Sequence, residues 1–192
     1  MDQQLKHKKV AMLVADGFEQ VEMTEPRKAL EEAGASVEIV SPSGGRVKAW
    51  KTREWGDEFE VDVVLSAADA SDYDALVLPG GVMNPDKLRT IPEARAFVRA
   101  FVDANKPVAA ICHGPWTLVD ARAVRGKKVT SWPSLATDLA NAGANWVDQE
   151  VVVDGTLVTS RKPDDIPAFN RETIALIARK SNQPREQRAS AE

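Results

Sequence analysis

Cys112 and His113, in the run V-A-A-I-C-H-G-P that starts at Val108, are adjacent residues whose types could do nucleophilic chemistry. A thiol can attack a carbonyl carbon to give a thiohemiacetal or an acyl-enzyme, and an imidazole can take the thiol proton near neutral pH. A lone cysteine in an arbitrary chain is more often a small buried hydrophobe. The surroundings argue otherwise here. Residues 108–111 follow Pro107 as a short apolar run, the pattern of a strand buried on both faces, and a helical pattern begins just past Gly114-Pro115. A strand that turns tightly into a helix lifts Cys112 to the tip of the turn, beside free N–H groups that would favour a thiolate. An oxyanion formed there needs fixed donors. The backbone N–H groups of Gly81 and His113 are the candidates, with Gly80-Gly81 ending another apolar run; a plain turn would use the same two glycines. Consecutive side chains commonly point apart, so His113 as base to Cys112 is an awkward arrangement.

The elements that must position these residues alternate between strand and helix patterns. Residues 9–15, K-V-A-M-L-V-A, read as the first parallel strand, with Asp16-Gly17 turning after it and a helix from about Pro26 to Gly34. Residues 36–40 make the second strand. The stretch from Ser43 to Asp57 reads as loop with at most a short edge strand, its Trp50 and Trp55 covering the sheet edge or touching another subunit. Residues 73–79 form a further buried strand, and residues 92–105 a helix with Ala94, Phe97, Val98, Phe101 and Val102 at core spacing. After the Cys112 strand come a short strand at 129–132, a short helix at 135–142, and a hairpin of 150–153 with 156–160 about an Asp154-Gly155 turn. Asp164 can cap a last helix that turns Ile166, Phe169, Thr173, Ile174 and Ile177 inward. Residues 182–192, N-Q-P-R-E-Q-R-A-S-A-E, have nothing to bury and are expected to be disordered. Alternating strands and helices imply a parallel sheet covered on both sides, with ligands beyond the carboxyl ends of its strands. Asp16 to Glu22, Gly80-Gly81 and Cys112-His113 all fall at such ends.

The 192 residues fit a single domain over residues 1–181, with 28% charged and 43% hydrophobic residues as in ordinary globular chains. A net charge of −4 gives no support to nucleic acid as a partner. No apolar run reaches the length of a membrane span and the first residues lack a signal-peptide core, so a cytoplasmic protein is expected. A single cysteine excludes an internal disulfide and fits a reducing compartment. Metals are set aside because His7, His113 and Cys112 are too few soft ligands, and no cofactor is expected, since no phosphate-cradling glycine pattern occurs.

Three stretches, A-D-G-F-E-Q-V-E from Ala15, L-V-L-P-G-G from Leu76 and V-A-A-I-C-H-G-P from Val108, resemble the ThiJ/PfpI superfamily, and within it the PfpI-type intracellular cysteine peptidases and general stress proteins. W-V-D-Q-E-V-V-V-D-G from Trp146 supports the match. The resemblance implies a flavodoxin-like three-layer α/β/α sandwich of the class I glutamine amidotransferase type, with a mostly parallel central sheet. It implies Cys112 as nucleophile and aligns Glu19 with the family glutamate that hydrogen-bonds the sulfur. That glutamate would be protonated, since a carboxylate beside a thiolate raises the cysteine pKa; Asp16, Glu22 and Glu25 then read as solvated or structural acids. It also implies that His113 is oriented by a carboxylate from a neighbouring subunit. Asp86 matches that position but is shorter than the family glutamate and one residue further from Gly81, and surface charge is an equal reading of it. If Asp86 does orient His113, a homodimer or larger assembly completes the site. Trp116 and Trp132 could line the pocket, with plain packing the commoner role.

Two activities fit such a site, cleavage of peptides and turnover of reactive aldehydes such as methylglyoxal or of their protein adducts. A third reading is a stress sensor or chaperone in which Cys112 is oxidised rather than turning over substrate.

Overall fold

The computed structural model describes residues 3–181, so the expected disorder of 182–192 lies outside the described residues. The first half of the chain forms β1 (Lys9–Leu13), β2 (Phe18–Glu19), α1 (Gln20–Glu32), β3 (Ser36–Ser41), β4 (Arg46–Lys51), β5 (Glu54–Glu60), β6 (Val63–Val64) and β7 (Ala75–Leu78). Next come α2 (Met83–Thr90), α3 (Pro92–Asp103), β8 (Val108–Ile111), α4 (Pro115–Asp120) and β9 (Lys128–Val129). The chain closes with α5 (Ala136–Asn141), β10 (Asn145–Trp146), β11 (Val151–Asp154), β12 (Leu157–Ser160) and α6 (Ile166–Ser181).

Seven strands make the central sheet in the order β11-β12-β8-β7-β1-β3-β6. Every neighbouring pair in it is parallel except β11 with β12, the hairpin at one edge. Alternation along the strands divides the core. Val10, Met12, Val77, Ala109, Ile111 and Val158 face one layer, where Met23 and Leu30 of α1 and Phe169 and Ile177 of α6 cover them. Ala11, Leu13, Leu76, Leu78, Val108 and Ala110 face the other, under Leu88 of α2, Phe97 and Phe101 of α3, Leu118 of α4 and Leu139 of α5. A sheet whose strands are apolar at every position can be buried only this way. Each fully buried large side chain, such as Phe18, Phe101 or Phe169, contributes about 1.5–3 kcal/mol. The result is the mostly parallel three-layer α/β/α arrangement that the alternating pattern predicts.

Several local expectations need correction. The helix after β1 begins at Gln20, not near Pro26, which lies inside it. Its buried residues Glu22, Met23, Pro26 and Leu30 lie on one face, and that packing outweighs the backbone hydrogen bond Pro26 cannot make. The stretch read as loop around Trp50 and Trp55 is a β-hairpin, β4 with β5, and it joins β2 in a separate three-stranded sheet. Trp50 and Trp55 meet edge to face at 5.6 Å within it. Residues 83–90 form α2, which the sequence pattern did not reveal because Pro85 interrupts it. Asp165, not Asp164, is the buried acid at the start of α6: it accepts the Arg161 N–H at 3.2 Å and its guanidinium at 2.8 Å.

Candidate active site

β8 delivers Cys112 at the carboxyl edge of the sheet. The residue has φ 60°, a left-handed conformation costly for a side chain with a Cβ. Neighbours on both sides hold it there: its N–H donates to the Ser160 carbonyl at 3.0 Å, and its carbonyl accepts from the Trp132 N–H at 2.9 Å. This turn brings Cys112 Sγ to within 3.2 Å of His113 Nδ1, so the adjacent side chains converge rather than diverge. The sulfur is recessed, with Cys112 only 7% exposed, whereas the strand-to-helix turn alone suggests a sulfur standing clear.

β7 delivers the glycine turn opposite. The backbone N–H groups of Gly81 and of His113 both interact with the Cys112 sulfur and favour its ionised form, as expected for the paired donors of an oxyanion site. Gly81 has φ 77°, and an added Cβ would lie 2.5 Å from the Gly17 carbonyl oxygen. At Gly80 an added Cβ would come within 2.7 Å of Cys112 Cβ and 2.6 Å of Glu22 Oε2. Both positions therefore admit glycine alone.

The acid at the sulfur is Glu22, not Glu19. Once α1 starts at Gln20, Glu22 sits in its first turn on the buried face, pointing to the end of the sheet. It is fully buried, its Oε2 accepts the Gly80 N–H at 2.9 Å, and its carboxyl interacts with the Cys112 thiol. Glu19 instead belongs to β2, where its half-buried side chain accepts the Thr52 N–H at 3.3 Å, and no hydrogen bond joins it to Cys112 among the described residues. Glu22, being fully buried, is therefore not a solvated acid. The spacing 22, 23, 26, 30 marks a helical face that Glu19 would also fit; what separates the two acids is that α1 begins at Gln20, after Glu19.

Asn84, missed by sequence reasoning, braces this turn. Fully buried in α2, it accepts the Ala15 N–H at 2.7 Å and donates to the carbonyls of Pro79 and Gly80 at 2.9 and 3.1 Å. It thus ties the end of β1 to the glycines. No sequence signal marked it.

Asp86 lies exposed on the first turn of α2, and no hydrogen bond joins it to His113 among the described residues. The imidazole is flanked instead by the Trp132 ring, stacked at 5.8 Å and 24°, and by Ser134 Oγ, 3.4 Å from Nε2. Trp116 stands 6.4 Å away, its indole N–H donating to Asp138 at 3.0 Å and its face covered by Arg89 at 4.5 Å. Both tryptophans border the site.

Burial governs the protonation of this cluster. It pushes the Glu22 carboxyl up from 4.5 to about 8, against the pull of the thiol and of the Gly80 N–H. It pushes the Cys112 thiol up as well, the proximity of Glu22 adding to it and the N–H groups of Gly81 and His113 only partly offsetting it. It holds His113 below its ordinary value. The pair therefore carries at most one negative charge near neutral pH, and a thiolate there requires Glu22 to keep its proton. The expectation of a freely ionised thiol is corrected accordingly: α4 has six residues, too short to outweigh desolvation. Glu22 Oε1 is buried without a hydrogen-bond partner, an environment that favours the neutral, protonated carboxyl.

Comparison with known proteins bears on this geometry. The "Putative cysteine protease YraA" of Bacillus subtilis is 48% identical over 88% of this chain and 98% of its own length. "General stress protein 18" of the same organism is 46% identical, and "Protein/nucleic acid deglycase 2" of Escherichia coli 43%, with the same coverage of both chains. The crystal structure of Drosophila melanogaster DJ-1beta superimposes with a TM-score of 0.78 at 29% identity, covering 90% of this chain and 96% of that one. No helix among the described residues is long and apolar enough to cross a membrane. The model of the DJ-1/PfpI family matches residues 8–176, and with these relatives it establishes that the chain belongs to the DJ-1/PfpI family.

Proposed function

We propose that this protein is a stress-related, cysteine-dependent hydrolase that acts on carbonyl carbon, with Cys112 as nucleophile and His113 as general base. One observation carries the reading: His113 Nδ1 at 3.2 Å and the N–H groups of Gly81 and His113 all converge on one sulfur. The thiol proton passes to Nδ1 as the S–C bond forms, and the carbonyl π pair moves onto oxygen, where the two N–H groups hold it. With an amide, collapse expels the amine, which takes the proton from His113; water activated by the same imidazole then hydrolyses the thioester. With an aldehyde the first step ends as a thiohemiacetal. Relatives named for cysteine protease and for deglycase activity support the two substrate classes equally.

The same reading assigns the carboxylate of Asp86 to His113 of a second copy, so that a homodimer or larger homo-oligomer completes the site in a reducing cytoplasm. A specific observation favours a second function. A protonated acid and two N–H groups surround one sulfur, and these donors would also hold the added oxygens of a sulfinate, as in an oxidation sensor. Turnover of peptides and of methylglyoxal adducts should be lost in Cys112→Ala and strongly reduced in His113→Ala. Failure of iodoacetamide to label native protein at Cys112 would refute both functions. Undiminished turnover in Cys112→Ala, with mass addition of two oxygens on wild type after mild peroxide, would leave the sensor reading alone.

A further inference from the structure

The imidazole of His113 has two nitrogens, and the mechanism above uses only Nδ1. Nε2 lies 3.4 Å from Ser134 Oγ. Ser134 stands in the single-turn helix of residues 133–135, after Trp132, whose ring stacks on His113 and whose N–H donates to the Cys112 carbonyl at 2.9 Å. Ser134 is thus tied to the same turn as the nucleophile, while its own side chain is exposed. From these contacts we infer that Ser134 is a positioning residue for His113, accepting the Nε2–H so that Nδ1 faces the thiol as an acceptor. The inference rests on the proposed role of His113 and adds a third member to the Cys112–His113 pair from within the same chain.

The logic is one of proton bookkeeping. A neutral imidazole has one N–H and one bare nitrogen, and the partner of each decides which is which. While Cys112 holds its proton, S–H donates to Nδ1, so Nε2 must carry the ring hydrogen and needs an acceptor. The Ser134 hydroxyl supplies it. When the thiol proton moves onto Nδ1, the ring becomes a cation and the Nε2–H···Oγ bond becomes charge-assisted, hence stronger. Ser134 therefore contributes most when the thiolate–imidazolium pair exists. The charged and titratable groups around the ring are few. Cys112 touches it, Glu22 and Glu19 lie beyond the sulfur, and Arg89 and Asp138 lie beyond Trp116. None of these carboxylates of the same chain occupies the Nε2 side; the Asp86 carboxylate of a second copy, assigned to His113 above, would reach the same N–H as a second acceptor beside Ser134 Oγ.

The test is the second-order rate of iodoacetamide labelling at Cys112 from pH 5.5 to 10, which needs no knowledge of the substrate. Because the neutral pair and the ion pair hold the same number of protons, losing the acceptor lowers the ion-pair fraction by a constant factor. Ser134→Ala should label about three- to tenfold more slowly at pH 6–7, the value of one hydrogen bond, and should change nothing in a His113→Ala background, where no imidazole remains to be held. Ser134→Thr, which keeps the hydroxyl, should restore the rate. An unchanged profile in Ser134→Ala, or a deficit that persists in the His113→Ala background, overturns the inference. An unchanged profile in both Ser134→Ala and His113→Ala overturns it together with the role of His113. An unchanged Ser134→Ala profile beside an altered His113→Ala profile overturns the inference alone.

Discussion

Replacing Glu22 by Gln tests the electrostatics of the site directly. Gln keeps an oxygen for the Gly80 N–H, bonded at 2.9 Å in the native site, and replaces the other carboxyl oxygen by an amide donor. What it removes is the capacity to become negative. In the wild type Glu22 loses its proton at about 8, and from there on a thiolate must form beside an anion. At a separation of about 4 Å and an effective dielectric of about 20, that repulsion is about 4 kcal/mol, or about three pK units. Below pH 8 the thiolate formed by net loss of a proton rises about tenfold per pH unit in both proteins, while the ion pair with His113 stays constant. Above it, the wild type exchanges one site's proton for the other's, the two species carry equal protons, and the thiolate population levels off. The Gln variant has no such ceiling. Iodoacetamide labelling should therefore match within a factor of about two at pH 7, while at pH 9 the variant should be about tenfold faster. A wild-type profile that climbs straight through pH 8–9, or a Gln variant that bends at the same place, would refute the assignment of Glu22 as the proton-holding partner of Cys112.

Two further outcomes follow from the same residues. Because the folded pKa of Glu22 is raised from 4.5 to about 8, its contribution to stability is intact below 4.5 and is lost as pH rises through about 8. The shift corresponds to about 5 kcal/mol, so thermal denaturation should show Glu22→Gln gaining on wild type from pH 5 to pH 8.5; a constant difference would contradict the raised value. Asn84→Ala leaves the Ala15 N–H and the carbonyls of Pro79 and Gly80 without their buried partner. It should cost about 2–4 kcal/mol in urea unfolding and slow Cys112 labelling by loosening Gly81; full stability in this variant would deny the brace.

The layers, the parallel order and the place of the site could be read from the chain because each rests on strong local patterns. Buried strands such as residues 75–78 and 108–111 are apolar without interruption, and each is followed by a glycine within three residues, Gly80 after Pro79 and Gly114 after Cys112-His113. The identity of the acid could not be read as easily. Glu19 and Glu22 lie three residues apart in one motif, and choosing between them depends on where α1 begins. Pro26 looked like a helix start, and with the start misplaced the buried face fell out of phase. Convergence of Cys112 with His113 was hidden for another reason. It depends on the left-handed backbone at Cys112, which nothing in the residue type announces. Ser134 and Asn84 act through contacts between segments distant in sequence, 21 residues for Ser134 with His113 and 69 for Asn84 with Ala15. Hydrogen bonds of that kind leave no periodicity to detect.

The positive φ at residue 112 also bears on how such a chain can change over generations. A cysteine kept only as filler would sit better in a relaxed conformation, and glycine would remove about 1–3 kcal/mol of torsional tension at that one position. Any lineage released from selection for the thiol therefore has an easy route to a steadier but inert protein by a change at that single codon. A sulfur retained on a strained hinge is thus a mark of continuing use.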